Sequence, residues 1–231
     1  FQLWGLIAMS MVLVGGMLMK DAPQQAASLQ QTESRDFTLA EAMRKPQYWM
    51  LALMFLTACM SGLYVIGVAK DIGEKMVGLP AVVAANAVAI IAMANLGGRL
   101  VLGILSDKMS RIRVITIAQL IMLCGMGLLL FVPLNANLFF VAVACVAFSF
   151  GGTITVYPSL VSDFFGLNNL TKNYGVIYLG FGLGSIIGSI VASLFGGFMA
   201  TFNLILVLLV VALVLSLPIR LPAPVAVAAE R

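Results

Sequence analysis

Seven long apolar runs dominate this sequence, and each is long enough to cross a membrane as a helix. About 20 apolar residues in a helix span the roughly 30 Å of a bilayer's hydrocarbon core. The runs do not alternate apolar with polar residues, as the shorter strands of a membrane β-barrel would. The sequence therefore predicts an all-α membrane protein. The runs are residues 1–19, 46–69, 80–105, 114–132, 138–160, 174–198 and 201–219.

The amino-acid composition excludes several classes of function and site. Hydrophobic residues make up 62% of the chain and charged residues 10%, against about 45–50% and about 25% in soluble domains. The absence of histidine excludes Ser-His hydrolases, imidazole relays and most catalytic zinc sites. Cys59, Cys124 and Cys145 lie in apolar runs without a CxxC spacing, so we interpret them as buried hydrophobes. We expect no enzymatic activity, no cofactor, no metal and no nucleic-acid partner.

The polar stretch Lys20–Lys45 separates the first run from the other six, and its Gln- and Ser-rich composition predicts a flexible linker. Within it, residues 37–44 predict a short helix, because Thr38 and Glu41 have capping-box spacing. Pro46 then fits the first turn of the second span. Because the first residue already lies inside an apolar run, we expect the chain to be the C-terminal part of a longer protein.

The distribution of basic residues predicts the orientation in the membrane. Loops on one side hold ten of the 13 basic residues, and loops on the other side hold Lys70 and Lys75. Loops rich in Lys and Arg stay in the cytoplasm. We therefore predict a multi-pass protein of a bacterial inner membrane, with a periplasmic amino end and with the linker and the carboxyl end in the cytoplasm.

Arg99 is the remaining basic residue, and it lies inside the 80–105 run. Asp107 marks the mouth of that span, so eight residues at about 1.5 Å each place Arg99 about 12 Å deep. An arginine at such a depth costs at least about 2.5 kcal/mol and usually faces a water-filled cavity. Two structural alternatives remain open: Arg99 caps carbonyls of a broken helix, or it reaches the headgroups. If it binds a ligand, a small carboxylate suits its bidentate fork.

Polar, aromatic and small residues recur at helical spacing near Arg99. Asn95 lies one turn away on the same face, and the 46–69 run carries a stripe of Thr57, Ser61 and Tyr64. We expect such stripes to line a cavity or to bond neighbouring helices. The 174–198 run carries a second stripe of Tyr174, Tyr178, Phe181, Ser185 and Ser189, together with a close-packing ridge of Gly180, Gly184 and Gly188.

The loop between the third and fourth runs reads GRLVLGILSDKMSRIRV and resembles the major facilitator superfamily signature G-x-L-x-D-[RK]-x-G-[RK]-[RK]. Ser110 and Ile112 depart from the pattern, and Arg113 follows one place late. The resemblance implies the major facilitator fold of two six-helix halves, of which this chain would hold a C-terminal half and one preceding helix. The residues that carry or surround this gating signature are Gly103, Leu105, Asp107, Lys108, Arg111 and Arg113.

The implied domains are 1–19, the last helix of an absent N-terminal half; 20–45, a central cytoplasmic linker; 46–219, the C-terminal six-helix half; and 220–231, a cytoplasmic tail. The expected partners are the lipid bilayer, a small carboxylate and the N-terminal half of the same protein.

A narrower resemblance covers residues 37–198. NLGGRLVLGILSDK and SDFFGLNNLTKNYGVIY are similar to the oxalate/formate antiporter family, including its enterobacterial, pyruvate-linked inner-membrane members. The resemblance implies that Arg99 binds substrate and that Phe181 stands where oxalate exchangers have a lysine. One cation instead of two favours a monocarboxylate such as pyruvate or formate. The expected substrate-binding residues are Arg99, Asn95, Tyr178, Phe181 and Tyr64.

We therefore expect a secondary transporter of small carboxylates that works by exchange or symport. The alternatives are a transporter of an unrelated organic anion, a seven-helix receptor or light sensor, and an intramembrane protease. A retinal sensor needs a lysine at depth, and so does a Ser-Lys protease, whereas Arg99 is the one basic residue inside these runs.

Overall fold

The computed structural model of the chain describes residues 2–18, 36–195 and 197–222, and within these ranges it is all helix and connecting loop. The chain divides into two units, Phe1–Ser34 and Arg35–Arg231. The expected all-α architecture is confirmed. The helices are α1 (Gln2–Leu18), α2 (Leu39–Met43), α3 (Pro46–Lys75), α4 (Ala81–Lys108), α5 (Arg111–Phe131), α6 (Ala136–Phe165), α7 (Leu170–Phe195) and α8 (Phe198–Ser216).

Among the described residues, the six helices α3 to α8 have the length and apolar composition to span a membrane. Several extend beyond the apolar runs that predicted them. Helix α3 continues past the end of its run to Lys75, where the pairs Lys70–Glu74 and Asp71–Lys75 lie four residues apart. Such pairs stabilise a helix in water. Hydropathy alone ends this helix too early, because a charged helical turn outside the membrane contributes no hydropathy signal.

Helices α3 and α6 form the centre of the second unit. They are the most buried spans, whereas α4 and α7 are the least buried. Helix α3 packs against α4, α6, α7 and α8, and α6 packs against α3, α4, α5 and α7. Helices α4 and α7 each contact this central pair and leave much of their own surface uncovered.

Glycines set the closest helix contacts. A Cβ on Gly98 of α4 would lie 1.9 Å from the carbonyl oxygen of Phe148 on α6, and one on Gly151 would lie 2.3 Å from the carbonyl oxygen of Asn95. On α7, a Cβ on Gly184 would lie 2.8 Å from the backbone nitrogen of Met60 on α3. Membrane helices associate through such small residues, which allow their backbones to approach each other.

The predicted short helix before the second run is confirmed as α2. Thr38 accepts from the Glu41 amide while the Glu41 carboxylate accepts from the Thr38 amide, which completes the capping box. Phe37, fully buried, precedes it and donates its amide to the carbonyl of Phe165 at 2.9 Å. Pro46 occupies the first turn of α3, as expected. Residues 20–35 of the linker predicted over residues 20–45 lie outside the described residues, as do residues 223–231 of the predicted tail.

Candidate functional site

Arg99 lies on the open face of α4, nine residues before the helix ends at Lys108. At about 1.5 Å per residue this separation is about 13 Å along the helix axis. The residue is exposed in this chain. Among the described residues, no acidic side chain forms a salt bridge with it, and its Nε donates its one side-chain hydrogen bond. The guanidinium therefore presents its two Nη groups to the open face.

Asn95 holds Arg99 against α6. Its Oδ1 accepts from Arg99 Nε at 3.0 Å, and its Nδ2 donates to the carbonyl oxygen of Ala147 at 3.2 Å. The second bond is possible because Gly151 lets α6 approach the Asn95 backbone closely. The amide thus connects an arginine on one helix to the backbone of the next, and this restricts the orientation of the guanidinium.

Aromatic rings cover the corresponding part of α7. Tyr178 and Phe181 are stacked with ring centroids 5.5 Å apart and planes inclined by 14°. Tyr174 lies 5.4 Å from Tyr178 on its other side. Spacings of three and four residues place these side chains on one helix face, as the sequence predicted. Tyr178 remains 41% exposed, so the stack forms a surface instead of a sealed core.

Helix α6 places Arg99 and Phe181 at a similar level. Ala147 of α6 accepts the hydrogen bond of Asn95, and Phe150, three residues later, lies 6.2 Å from the Phe181 ring. Both contacts fall within one turn of α6. The structure therefore places the arginine and the aromatic stack next to the same turn of α6.

Phe150 and Phe55 are the site residues that sequence reasoning missed. Phe55 of α3 lies 5.8 Å from Tyr178, so the two phenylalanines support the stack from behind. Gly62 leaves the space that the Phe150 ring fills, because a Cβ there would lie 2.4 Å from that ring. Each phenylalanine sits in an apolar run, and no local pattern distinguishes it from the other phenylalanines of the chain.

Tyr64 does not reach this face, contrary to the expectation that it lines the site. It is 7% exposed, its ring lies 6.0 Å from Phe202 of α8, and Gly188 packs against its Cβ. The other members of its stripe, Thr57 and Ser61, are buried as well, and Thr57 donates to the Met54 carbonyl. The stripe faces the packed interior, because α7 and α8 close over that side of α3.

The carboxyl-terminal part of the α7 stripe is exposed and polar. Ser185 and Ser189 are exposed, and Ser189 Oγ donates to the Ser185 carbonyl at 2.9 Å. The glycine ridge lies on another side of α7, where Gly180 and Gly184 contact α3 at Leu56 and Met60. One face of α7 therefore packs on α3 while the aromatic and serine stripe stays accessible.

The signature loop connects α4 to α5 at one end of the bundle. Gly103 would place a Cβ 3.6 Å from Thr155 of α6, an ordinary contact. Asp107 and Lys108 are exposed, and neither forms a salt bridge with a described residue.

Arg111 instead forms an ion pair with Asp163, which lies near the carboxyl end of α6. Sequence reasoning missed Asp163 as a partner, because 52 residues separate the two. Arg113 is exposed.

Comparison with known proteins places the chain in a family. The profile of the Major Facilitator Superfamily matches residues 1–177 and 101–231. An uncharacterized MFS-type transporter of Escherichia coli (strain K12), YhjX, is 70% identical over 187 residues, covering 80% of this chain and 46% of that protein. The oxalate:formate antiporter of Oxalobacter formigenes is 28% identical over 180 residues, covering 77% of this chain and 43% of that protein.

The chain thus spans about half the length of these relatives. The six long apolar helices found among the described residues and the signature loop agree with the profile match. The chain belongs to the major facilitator superfamily.

Proposed function

We propose that this chain forms the C-terminal half of a secondary transporter of small monocarboxylates, with Arg99 as the residue that binds the carboxylate. The observation that carries the proposal is the arrangement of Arg99. It lies about 13 Å from the end of an apolar helix, and Asn95 holds its Nε. Both Nη groups are without a hydrogen-bond partner among the described residues. A planar carboxylate accepts two parallel bonds from such a fork.

Electrostatics supports an anionic ligand. A positive charge inside the hydrocarbon region is costly unless an anion or water surrounds it. The acidic residues described in the second unit lie at helix ends or in loops, with Asp107 and Asp163 nearest the ends of α4 and α6. The counter-charge for Arg99 therefore comes from a substrate or from another part of the transporter.

Phe181 argues for one carboxylate instead of two. The antiporter of Oxalobacter formigenes is named for oxalate and formate, and the family pattern that this chain resembles carries a lysine at the position of Phe181. Here an aromatic ring stacked on Tyr178 occupies that position. An apolar ring disfavours a second charge in a poorly hydrated site. A monocarboxylate such as pyruvate or formate fits one cation beside an aromatic surface.

The remaining assignments complete the proposal. Asn95 orients Arg99, and Tyr178 and Phe181 shape the other side of the site. The loop that carries Asp107 and Lys108, with the Arg111–Asp163 pair, stabilises one state of the gate. Alternating access then follows from rocking of this half against a second half. The superfamily match favours this transporter over the seven-helix receptor that the sequence left open.

The experiment measures uptake of labelled pyruvate and formate by vesicles that contain the complete protein, as its gene encodes it. We expect Arg99→Gln to abolish uptake and Arg99→Lys to reduce it strongly, because lysine keeps the charge and loses the fork. Arg44→Gln is the matched control, since Arg44 is exposed on the linker side of α3 and distant from the site in sequence. Normal uptake by Arg99→Gln would overturn the assignment.

A second variant tests the choice between one and two charges. Phe181→Lys should increase competition by unlabelled oxalate against labelled monocarboxylate, because a second cation attracts a second carboxylate. The matched control is Phe181→Leu, which removes the ring without adding a charge. If both variants give the same oxalate competition, the charge at this position does not set selectivity.

A further inference from the structure

A groove lies between the first turns of α5 and the end of α8, at the end of the bundle that carries the signature loop. Its volume is about 590 Å³, which is within the range of about 300–1,000 Å³ common for small-molecule sites. Thr116 and Ser216, one on each helix, both line it and are joined by a hydrogen bond of 3.2 Å between their hydroxyl oxygens. Most of the other lining side chains are apolar.

Arg113 supplies the positive charge of this groove. It is exposed, lines the groove and forms no salt bridge with any described residue. Arg111 lines an adjoining groove of about 300 Å³, but Asp163 lines the same groove and neutralises it. The difference between the two arginines leaves one uncompensated cation, so the groove complements an anion.

The surface that continues from the groove is apolar. On α5, Ile117 and Leu120 follow Arg113 on one helix face, and Leu120 is 44% exposed. Leu217, which directly follows α8 and lines the groove, is 71% exposed, and Val210, seven residues earlier on the same helix face, is 41% exposed. Both helices have the length and apolar composition to span a membrane. A ligand with a charged head and apolar chains therefore meets a cation at the groove and hydrocarbon-like surface beyond it.

The groove lies away from Arg99. Gly125 of α5 packs on α6 near Ala142 and Val146, whereas Asn95 of α4 packs on Gly151, which lies on a different face of α6. The α5–α8 surface is thus separated from the open face that carries the candidate substrate site.

We propose that this groove binds the headgroup of an anionic phospholipid, with Arg113 contacting the phosphate and the acyl chains lying on the exposed faces of α5 and α8. Basic pockets between membrane helices near the membrane surface recognise such headgroups. The occupant is a bilayer lipid instead of a free phosphate, because the apolar surface adjoins the cation directly.

The test measures lipid retention by native mass spectrometry. The complete protein, as its gene encodes it, is delipidated in detergent and titrated with phosphatidylglycerol or with phosphatidylcholine of the same acyl chains. We expect tighter retention of phosphatidylglycerol, and we expect Arg113→Gln to weaken it about fivefold, the factor typical of one basic residue at the membrane surface. Arg113→Lys should retain most of the affinity, because a phosphate contact needs charge more than it needs the fork.

Matched controls separate this proposal from its rivals. Arg44→Gln removes the same charge from an exposed arginine away from the groove and should leave retention unchanged. Glycerol phosphate, which is the headgroup without chains, should not displace the lipid.

Three outcomes would overturn the proposal. They are equal losses in Arg113→Gln and Arg44→Gln, equal retention of both lipids, and displacement by glycerol phosphate.

Discussion

Gly98 and Gly97 are adjacent glycines on α4 whose replacement by alanine should have opposite effects. A Cβ on Gly98 would lie 1.9 Å from the Phe148 carbonyl oxygen and 2.6 Å from its carbon, both of them backbone atoms. A Cβ on Gly97 would find its nearest neighbour at 3.9 Å, on the ring of Phe148. Rotation of a side chain cannot relieve the contact at Gly98. Helices α4 and α6 must therefore move apart.

The size of the movement follows from the contact distance. Raising 1.9 Å to an ordinary 3.4 Å contact requires a separation of about 1.5 Å. The hydrogen bond from Asn95 Nδ2 to the Ala147 carbonyl, now 3.2 Å long, would exceed 4 Å and no longer be a hydrogen bond. Overpacking costs about 1–3 kcal/mol, and loss of the bond costs about 1 kcal/mol more.

Helix propensity has the opposite effect, because replacing glycine by alanine within a helix stabilises it by about 1 kcal/mol. Because both variants gain this term, it cancels in their comparison. We expect Gly98→Ala to be less stable than Gly97→Ala by about 2–4 kcal/mol. The conversion is about 2–4 °C per kcal/mol for chains of 150–250 residues and about half that for a protein twice as long, so the melting temperatures should differ by at least about 2 °C.

The assay is thermal unfolding of the complete protein in detergent, followed by circular dichroism at one scan rate for all variants. Gly67→Ala serves as a second control, since no atom lies within 4 Å of its Cβ position. Gly98→Ala should also reduce carboxylate uptake, because Asn95 no longer holds Arg99 against α6. Equal melting temperatures for Gly98→Ala and Gly97→Ala would refute the close-contact argument.

Three further predictions concern the linker side and the topology. Asn173→Asp should speed tryptic cleavage after Arg44 about fivefold, because the buried Asn173 amide donates to the Phe37 carbonyl at 3.0 Å and a lost hydrogen bond costs about 1 kcal/mol. Asn169→Asp, half-buried in the loop that precedes α7, is the control. Hydrogen bonds from Thr38 lower the pKa of Glu41 from 4.5, so the capping box stabilises α2 fully above that value and loses its effect as pH falls through the lowered pKa. Trp49 fluorescence, in a background with every other tryptophan replaced by phenylalanine, should report this loss, since Trp49 Nε1 donates to a carbonyl of α2 at 2.8 Å. Thr38→Ala should remove the pH response. In a cysteine-free background, an impermeant thiol reagent on intact cells should label Pro80→Cys but not Ser110→Cys; labelling at position 110 alone would reverse the predicted topology.

The sequence alone predicts the helices because the bilayer leaves few alternatives. An apolar run in lipid must satisfy its backbone hydrogen bonds internally, so it becomes a helix whatever its neighbours are. The capping box of Thr38 and Glu41 is likewise local, since its two residues lie within one turn. Arg99 is equally evident, because it is the one basic residue inside the apolar runs.

Tertiary structure decides which of several similar residues form the site. Gly97 and Gly98 are adjacent residues of the same type. Only the close packing of α4 on α6 leaves no room for a Cβ at Gly98. Phe150 packs against the aromatic stack, whereas Tyr64 packs against Phe202 away from it, because the way α6, α7 and α8 surround α3 determines which faces stay open. Asp163 pairs with Arg111 across 52 residues, a separation that no helical period connects. Local chemistry sets the helices of this chain, whereas contacts between helices set the position and orientation of Arg99, the one basic residue inside its apolar runs. The reason is that the groups packed beside a side chain hold it in place, and these come from parts of the sequence that no local pattern connects.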